Sequence, residues 1–451
     1  MSHIVLRGGT VVNADNERRG DIEIRDGKVV ALHEPGVGAD VAVDVDVDGL
    51  LVLPGMVDTH VHFMEPGDPS REDFATGSVA AACAGVTTVL EHTHGWPVTT
   101  PDRLREKRAV LEGRSHVDYG LVAHVWPDHL DELPQLWADG IVYFKAFTCA
   151  THGVPAVHGP LLDEVAEELA RLGAPCLVHC EDDAMTAQNE AALKAAGRHD
   201  GGVIPEWRSL DAELAATLEV SAIALRHNAG LIVAHASNAQ VLTLLADERT
   251  TGSPILAESC PQYFHLWENE VEQKGAFRKF TPPARIRCEQ DQRRMWGALN
   301  AGLVNHLSSD HAPSTSEQKR AGDIWEVHFG LPGVDTTLPL MLDAALRGLT
   351  TMSRVVRSYA DAPARLYGLT GKGRLEPGFD ADIVLVDPDS SWTVRDEDIQ
   401  SRAGWSPYSG RSLRGGVVAT YLRGLRIAES RAPLGEASGR WLAGPGYVAG
   451  D

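Results

Sequence analysis

Eight short apolar segments, separated by stretches with a helical pattern, run through the middle of the chain. They read LLVLPGMVDTHVHF, GVTTVLEHT, VDYGLVAHV, GIVYFKAF, APCLVHCED, GLIVAHAS, SPILAESC and GLVNHLSSDH. Regular alternation of strands and helices predicts a parallel sheet, and eight repeats are typical of an α/β fold of the (β/α)8 TIM-like barrel type. A doubly wound open sheet is the alternative, but the sequence has neither the G-x-G-x-x-G turn nor the P-loop that would favour it.

Two of the intervening helices carry recognisable end signals. The stretch SREDFATGSVAAACAG is predicted to begin at Ser70, with Asp73 three residues later in a pattern similar to a capping box. The stretch LLDEVAEELARLG is predicted to end at Gly173, because glycine adopts the left-handed conformation that closes a helix.

The two ends of the chain share a β-type pattern that differs from the α/β middle. Short alternating segments such as DIEIRDGKVVAL lie near the N-terminus, and GVVATYLRGLRIAE lies near the C-terminus. We therefore expect one small composite β-sandwich domain, built from residues 1–53 and 370–430, beside a barrel at residues 54–369. Residues 431–451 are rich in Gly, Pro and Ala, and we expect them to form a poorly structured tail.

Potential metal ligands come at the ends of five of the eight predicted strands. Because the carboxyl ends of all barrel strands open on one face, these side chains are expected to meet there. The candidates are His60, His62, Lys145, His179, His235 and Asp310.

The residue types at these positions indicate metal chemistry. Strand side chains alternate between faces, so the H-x-H pair His60 and His62 can chelate one ion. Lys145 lies between Phe144 and Phe147 in an apolar strand, where a buried ammonium group is costly unless its charge is lost or neutralised. We expect Lys145 to be an N6-carboxylysine, formed with CO2 or bicarbonate, whose two oxygens bridge two cations.

The overall composition excludes some partner classes. The 451 residues carry a formal net charge of −22, which argues against binding nucleic acid or an anionic membrane surface. The six cysteines form no CxxC pair, and no run of about 18 apolar residues predicts a membrane span. A cytoplasmic protein with reduced thiols and a small-molecule substrate is expected.

Several longer motifs resemble the cyclic amidohydrolases of the amidohydrolase superfamily. LPGMVDTHVHFMEPG, ESCPQYF, TPPARIR, SSDHAPSTSEQKRAG, SPYSGR and GRLEPGFDADIVLVD are closest in wording to allantoinases, and the resemblance covers roughly residues 5–430. It implies a hydrolase that opens a cyclic amide or ureide ring at two divalent ions. Zinc is the expected metal, with manganese, cobalt or iron as alternatives, and a homo-oligomer, tetramer or dimer, is expected.

The resemblance also implies a role for each metal ligand. His60, His62 and Asp310 would bind the more buried ion, and His179 and His235 the second, with carboxylated Lys145 between them. Asp310 would act as the catalytic base, taking a proton from the attacking hydroxide and passing it to the leaving ring nitrogen. Ser259 and the loop around Gly333 would contact the substrate.

A second H-x-H pair, His92 and His94 in VLEHTHGWP, departs from the text of this family. His94 falls where dihydroorotases carry an Asn that holds the substrate carboxylate, and Met64 falls where they carry an Arg. Dihydroorotase is therefore disfavoured, and the HTH pair is predicted to line the pocket. Substrate contact, an extra metal ligand and simple packing all remain open for His94.

Other rings and other functions stay open beside an allantoinase-like activity. Hydantoinases and dihydropyrimidinases carry a Tyr where this chain has Ala150, but a ring of that type or a cyclic imide is a serious alternative. A mononuclear deaminase of the same superfamily is disfavoured by Lys145, since a bridging group is useless with one ion. A non-catalytic structural relative is disfavoured because such proteins typically lose ligands, and all six are present here.

Overall fold

The computed structural model describes residues 3–37 and 43–448, and the barrel forms its centre. Its strands are β6 (Met56–Val61), β7 (Val86–Glu91), β8 (Asp118–Leu121) with its continuation β9 (Ala123–His124), β10 (Phe144–Phe147), β11 (Cys176–His179), β12 (Leu231–Val233), β13 (Leu256–Ser259) and β14 (His306–Leu307). Neighbours along the chain pair in parallel, as β6-β7-β8 and as β9-β10-β11-β12-β13-β14. The Val142 N–H donates to the Leu121 carbonyl at 2.8 Å, and the His62 N–H donates to the His311 carbonyl at 2.8 Å. These bonds join the two groups of strands and close the predicted barrel.

The helices alternate with the barrel strands and extend beyond them. They are α1 (Phe74–Cys83), α2 (Pro101–Leu111), α3 (Leu133–Ala138), α4 (Gly159–Leu172), α5 (Asp183–Ala195), α6 (Val203–Trp207), α7 (Leu210–His227), α8 (Ala239–Thr250), α9 (Gln262–His265), α10 (Glu270–Lys274), α11 (Glu289–Asn300), α12 (Ser316–Arg320), α13 (Thr337–Leu346), α14 (Met352–Val356) and α15 (Ala362–Leu366). A π-helical turn covers Arg357–Asp361, and 3-10 turns cover Pro127–Glu132, Gly275–Arg278 and Asp396–Asp398. No helix in the described ranges combines the length and apolar character needed to cross a membrane.

One of the two helix-end predictions holds and the other is wrong. Helix α4 closes at Gly173, which has a left-handed φ of 66°. Helix α1 begins later than predicted, because Asp73 rather than Ser70 is its N-cap. The Asp73 carboxylate accepts a bond from the Thr76 N–H at 2.8 Å, and that bond fixes the start of the helix.

A second sheet combines strands from both ends of the chain. It contains β1 (His3–Val12), β2 (Glu17–Arg25), β3 (Lys28–His33), β4 (Val43–Asp46), β5 (Leu51–Pro54), β15 (Ile383–Thr393), β16 (Ser412–Leu422), β17 (Leu425–Glu429) and β18 (Ala432–Pro433). The order is β18-β17-β16-β15-β5-β1-β2-β3, with β4 on β1, and the two halves join where β5 pairs antiparallel with β15. We call this the terminal sheet, and its apolar core, which includes Ile22, Ile24, Ile383 and Tyr421, is separate from that of the barrel.

The segment after the terminal sheet corrects one expectation. Residues 434–448 are not a poorly structured tail, because the Leu442 N–H donates to the Tyr119 carbonyl at 2.7 Å and the Tyr119 N–H donates to the Arg440 carbonyl at 2.9 Å. The Arg108 guanidinium also lies 3.5 Å from the centre of the Trp441 ring. The Gly and Pro content here reflects close packing, since a Cβ on Gly439 or Gly444 would lie 1.9 Å from a backbone oxygen. Residues 449–451 lie outside the described part of the chain.

An inner core fills the barrel beneath the face where the strands end. It contains Tyr143 on the approach to β10 and Leu177 on β11, both fully buried. Lys145 and His179 follow two residues later on the same strands, and side chains two apart lie on the same face of a strand. The apolar packing inside the barrel therefore directs these two polar side chains into its open end.

Candidate metal centre

The six predicted metal ligands line one small cavity at the carboxyl ends of the barrel strands. His60 lies on β6 and His62 just after it, Lys145 on β10, His179 at the end of β11, His235 two residues after β12, and Asp310 after β14. Five of these side chains are at most 3% exposed, and Asp310 is the more open one. The structure thus brings together residues that are up to 250 positions apart in the sequence.

Asp310 joins the H-x-H pair of β6 into one group. Its Oδ1 lies 3.2 Å from His60 Nε2 and 3.4 Å from His62 Nε2. Two donor atoms bound to a single tetrahedral zinc at about 2.1 Å each are roughly 3.4 Å apart, so these separations fit a shared ion.

His179 and His235 form a second pair on the opposite part of the cavity wall formed by β11 and β12. His179 Nδ1 lies 3.0 Å from His235 Nε2, which also fits two ligands of one ion. The cavity therefore offers donor atoms for two ions, one from each group.

Lys145 is chemically unusual within this cavity. It is 1% exposed, its Nζ has no hydrogen-bond partner among the described residues, and it lies 5.0 Å from the Phe147 ring centre. Burial lowers the pKa of the Lys145 amine, although the carboxylates of Glu258 and Asp310 oppose the shift. An amine with a lowered pKa is more often uncharged, and the uncharged form is the one that adds CO2. The residue fits carboxylation, and the added anion would bring ligand oxygens to the cavity.

Two buried glutamates that the sequence analysis did not identify hold the histidine rings. Glu258 on β13 accepts from His60 Nδ1 at 2.9 Å and from the His235 backbone N–H at 3.0 Å. Glu181 accepts from His179 Nε2 at 2.6 Å. Such bonds fix the orientation of a ring and leave its other nitrogen for a metal. The signal for both was a carboxylate in or directly after an apolar strand, in ILAES and CLVHCED.

The charges around Glu181 keep it ionised. Burial opposes ionisation, but the Arg208 guanidinium and His179 outweigh burial and lower the pKa of Glu181 to about 2. Arg208 Nη1 lies 3.3 Å from Glu181 Oε2, and the Thr281 hydroxyl donates to the same oxygen at 2.8 Å. His179 is therefore hydrogen-bonded to a permanently charged carboxylate.

Burial disfavours the charged form of several histidines of the cavity. Burial lowers the pKa of His62 to about 4, even though Asp310 favours its charged form. Burial also lowers the pKa of His235 well below its ordinary value, and the neighbouring His179 and Lys145 add to the effect. Neutral imidazole has the lone pair that a divalent cation needs.

The backbone is strained at two of the six positions. His235 has φ 37° and Asp310 has φ 48°, in a region that side-chain-bearing residues rarely adopt. Each such residue costs on the order of 1–3 kcal/mol and is kept only where its surroundings enforce it. At His235 the bond from its N–H to Glu258 enforces it, which places the ring against His179.

The HTH pair after β7 divides between two environments. His94 lines the cavity as predicted, and its ring centre lies 4.2 Å from that of His62. His92 is fully buried, and its ring centre lies 4.5 Å from His60 and 4.4 Å from His62. A nitrogen of His92 lies within 4.8 Å of ring nitrogens of His60 and His62.

Phe147 at the end of β10 and residues from several loops complete the cavity walls. The cavity is also lined by Phe147, His152, Thr281, Ala312, Phe329 and Gly330. His152 reaches the cavity from the loop after β10 with a left-handed φ of 55°, and no local sequence pattern predicts that conformation.

Two predicted substrate contacts do not line this cavity. The Ser259 hydroxyl donates to the Ala236 carbonyl at 2.9 Å, and the Gly333 N–H donates to His311 Nδ1 at 3.1 Å. A Cβ on Gly333 would lie 2.8 Å from the Ser309 carbonyl oxygen, so close packing beside β14 requires a glycine there.

Comparisons with known proteins agree with this geometry. Among curated proteins, allantoinase of Rubrobacter xylanophilus is 35% identical, covering 97% of each chain, and allantoinase of Solibacter usitatus is 34% identical, covering 95% of this chain and 94% of its own. Among solved structures, the L-hydantoinase (dihydropyrimidinase) from Arthrobacter aurescens superposes with a TM-score of 0.94 at 30% identity, covering 98% of this chain and 100% of its own. Residues 51–425 match the Amidohydrolase family, and the chain belongs to that family.

Proposed function

We propose that this protein hydrolyses a cyclic amide or ureide ring to a ring-opened acid, with an allantoinase-like activity. The observation that carries the proposal is the single cavity in which His60, His62, Lys145, His179, His235 and Asp310 meet. The near-full-length similarity to allantoinases, at 33–35% identity, supports the choice of ring.

The chain's residues would hold two divalent cations. His60, His62 and Asp310 would bind one ion and His179 and His235 the other, with N6-carboxylated Lys145 bridging them. Zinc suits this set of imidazole and oxygen ligands, and manganese, cobalt or iron are alternatives. Bound there, such ions lower the pKa of water toward 7 and polarise a carbonyl oxygen.

Asp310 is the residue proposed to move the proton. Its side chain is 13% exposed, whereas those of His60 and His62 are 1% and 2% exposed, so Asp310 is the ligand most open to a substrate. Its carboxylate would take the proton of the attacking water and donate it to the ring nitrogen that leaves.

The cavity walls favour a compact, flat substrate. Phe147 and Phe329 supply apolar faces, and His94 and His152 supply neutral nitrogens that can bond to ring N–H or carbonyl groups. Ser259 and the Gly333 loop remain proposed substrate contacts through a change of the adjoining main chain on binding.

A hydantoinase- or dihydropyrimidinase-type ring is the second candidate. It is favoured by the structural match to the Arthrobacter aurescens enzyme, which covers 98% of this chain. We also propose a homo-oligomer, tetramer or dimer, located in the cytoplasm. The reduced state of the six cysteines, all of them free thiols in the described structure, supports that location.

The test is ring opening of a small panel: allantoin, hydantoin, dihydrouracil, dihydroorotate and a simple cyclic imide. The protein would be loaded with zinc or manganese in bicarbonate, with Lys145→Ala as the blank. Turnover of allantoin above the others supports the first candidate, and turnover of hydantoin or dihydrouracil supports the second. Turnover of none by the loaded protein would overturn the proposal for this class of small rings.

A further inference from the structure

Beside the proposed binuclear centre lies a second group of histidines, none of which is a ligand of the two proposed ions. His92 and His94 follow β7, and His124 ends β9, so all three come from neighbouring strands. Each offers a ring nitrogen, and these nitrogens all lie within 4.8 Å of one another. We call these three residues the second histidine group.

Buried ring nitrogens in this group lack partners. Within the described ranges, neither nitrogen of His92 has a hydrogen-bond partner. His92 is fully buried and His124 is 1% exposed. A buried polar atom without a partner is costly, and a metal ion is one ligand that would satisfy it.

The one measured spacing within the group fits a shared ion. His124 Nε2 lies 3.4 Å from His94 Nδ1, which is long for a hydrogen bond between two nitrogens. It matches the roughly 3.4 Å that separates two nitrogens on one tetrahedral zinc. The separation of His62 Nε2 and Asp310 Oδ1 in the proposed binuclear centre is the same, 3.4 Å.

The residue types in the second histidine group also suit a cation. Three imidazoles are the ligand set of an open zinc site, in which water or another oxygen takes the fourth position. His94 lines the cavity that holds Lys145, so that fourth position would face the cavity.

We propose that His92, His94 and His124 bind a third divalent cation, zinc in the first instance, beside the binuclear centre. Its exchangeable position faces the cavity and accepts water or an anionic oxygen of a bound molecule. The rival arrangement places His92 on the ion of His60 and His62, which would leave His94 and His124 without a metal role.

Metal content separates these arrangements. The purified protein would be stripped of metal, reloaded with excess zinc in bicarbonate and then freed of unbound metal. Elemental mass spectrometry is expected to find three zinc ions per chain. His124→Phe is expected to contain two. Because His94 is less buried and less able to disturb folding, His94→Gln serves as a second variant with the same expectation.

The matched control is His152→Gln. Its ring centre lies 4.9 Å from that of His94, yet it does not belong to the second histidine group, so three ions should remain. Two ions in the unchanged chain, or three in both His124→Phe and His94→Gln, would overturn the proposal. Far-ultraviolet circular dichroism of each variant shows that the chain is folded before its metal is counted.

A failure of this site differs from a failure of the proposed function. Lys145→Ala removes the bridge of the binuclear centre but leaves the second histidine group intact. Lys145→Ala and Lys145→Ala with His124→Phe should therefore still differ by one ion per chain. Equal contents would overturn the third site, whereas loss of ring opening alone concerns the proposed reaction.

Discussion

The two sets of histidines at the open end of the barrel differ in what holds their rings. His60 and His179 each bond one nitrogen to a buried carboxylate, Glu258 or Glu181, and His62 bonds Nδ1 to the His92 carbonyl at 2.5 Å. Neither ring nitrogen of His92 has such a bond among the described residues, nor has Nδ1 of His124, although Nδ1 of His235 in the proposed binuclear centre also lacks a partner there.

This difference teaches how one cavity can hold ions with unequal strength. A ring already fixed by a carboxylate loses little freedom when a metal binds, and the carboxylate makes it a better donor. Rings without that support must be ordered by the metal itself, so they form a weaker and more exchangeable site. Glu258 also bonds the His235 backbone, which couples the two proposed metal positions.

The largest expected effect comes from removing Lys145, the proposed bridge between the two ions of the binuclear centre. Lys145→Ala should lower kcat/KM for the ring that is turned over by about 1,000-fold or more, because both ions lose a shared ligand. Lys194→Ala, which alters a half-exposed surface lysine, is the control and should retain full activity. A decrease of less than about tenfold for Lys145→Ala would show that the bridge is dispensable.

A smaller effect is expected from the carboxylate that supports the rings. Glu258→Gln should weaken zinc affinity by about 10- to 100-fold, because the His60 ring loses its charged partner while the shape of the side chain is kept. Competition with a coloured chelator measures the affinity. Glu181→Gln provides the matching change beside His179. Unchanged zinc affinity in both variants would show that the carboxylates holding the rings do not determine how strongly the site binds metal.

The order of metal release sharpens the same comparison. The ion that depends on His124 should leave first as chelator is added, with an affinity about tenfold or more below that of the others. Metal content of the protein at each chelator concentration gives the order, and His124→Phe should lack the first step. Simultaneous loss of all ions would mean that the two sets do not differ.

The smallest expected effect concerns His265, a buried histidine that belongs to neither set, so that it tests burial without metal binding. Burial lowers the pKa of His265 to about 3, and Arg411 adds to the effect. Between about pH 6.5 and 3 the unfolded chain binds a proton there and the folded chain does not. Because of this residue, the free energy of unfolding therefore decreases by about 1.4 kcal/mol for each unit by which the pH is lowered in this range.

His265→Gln should make that acid-side slope shallower by about the same 1.4 kcal/mol per pH unit. Urea unfolding of metal-free protein at steps between pH 6 and 4 measures it. His199→Gln, at a side chain that is 62% exposed, is the control. Identical slopes for the unchanged protein and His265→Gln would contradict a buried, neutral His265.

Strand order could be predicted from the sequence because apolar runs alternate regularly with helical segments. Each apolar run becomes a barrel strand, and the polar residue at its end, such as His179 or His235, lies in the cavity. Glu258 directly precedes Ser259 on β13, and adjacent strand residues point to opposite faces. The Glu258 carboxylate therefore reaches His60, whereas the Ser259 hydroxyl, which was the predicted substrate contact, bonds to the Ala236 carbonyl.

Positions set by loops or by competing caps could not be read in that way. His152 depends on a left-handed residue within a loop, and its place beside His94 is fixed only by tertiary packing. The start of α1 depends on which residue caps it, since Ser70 could accept from the N–H of Asp73 and Asp73 accepts from the N–H of Thr76, and both fit the local pattern.

The terminal sheet has a consequence for how the chain is made. Strand β5 leaves the ribosome long before β15, yet it pairs with that strand. One edge of β5 can pair with β1 at once, but the other must wait unpaired while the whole barrel is synthesised. During this interval the edge of β5 exposes unsatisfied backbone groups that other nascent chains can join. Synthesis halted within the barrel would therefore release a chain with an open sheet edge, the kind of intermediate that chaperones retain.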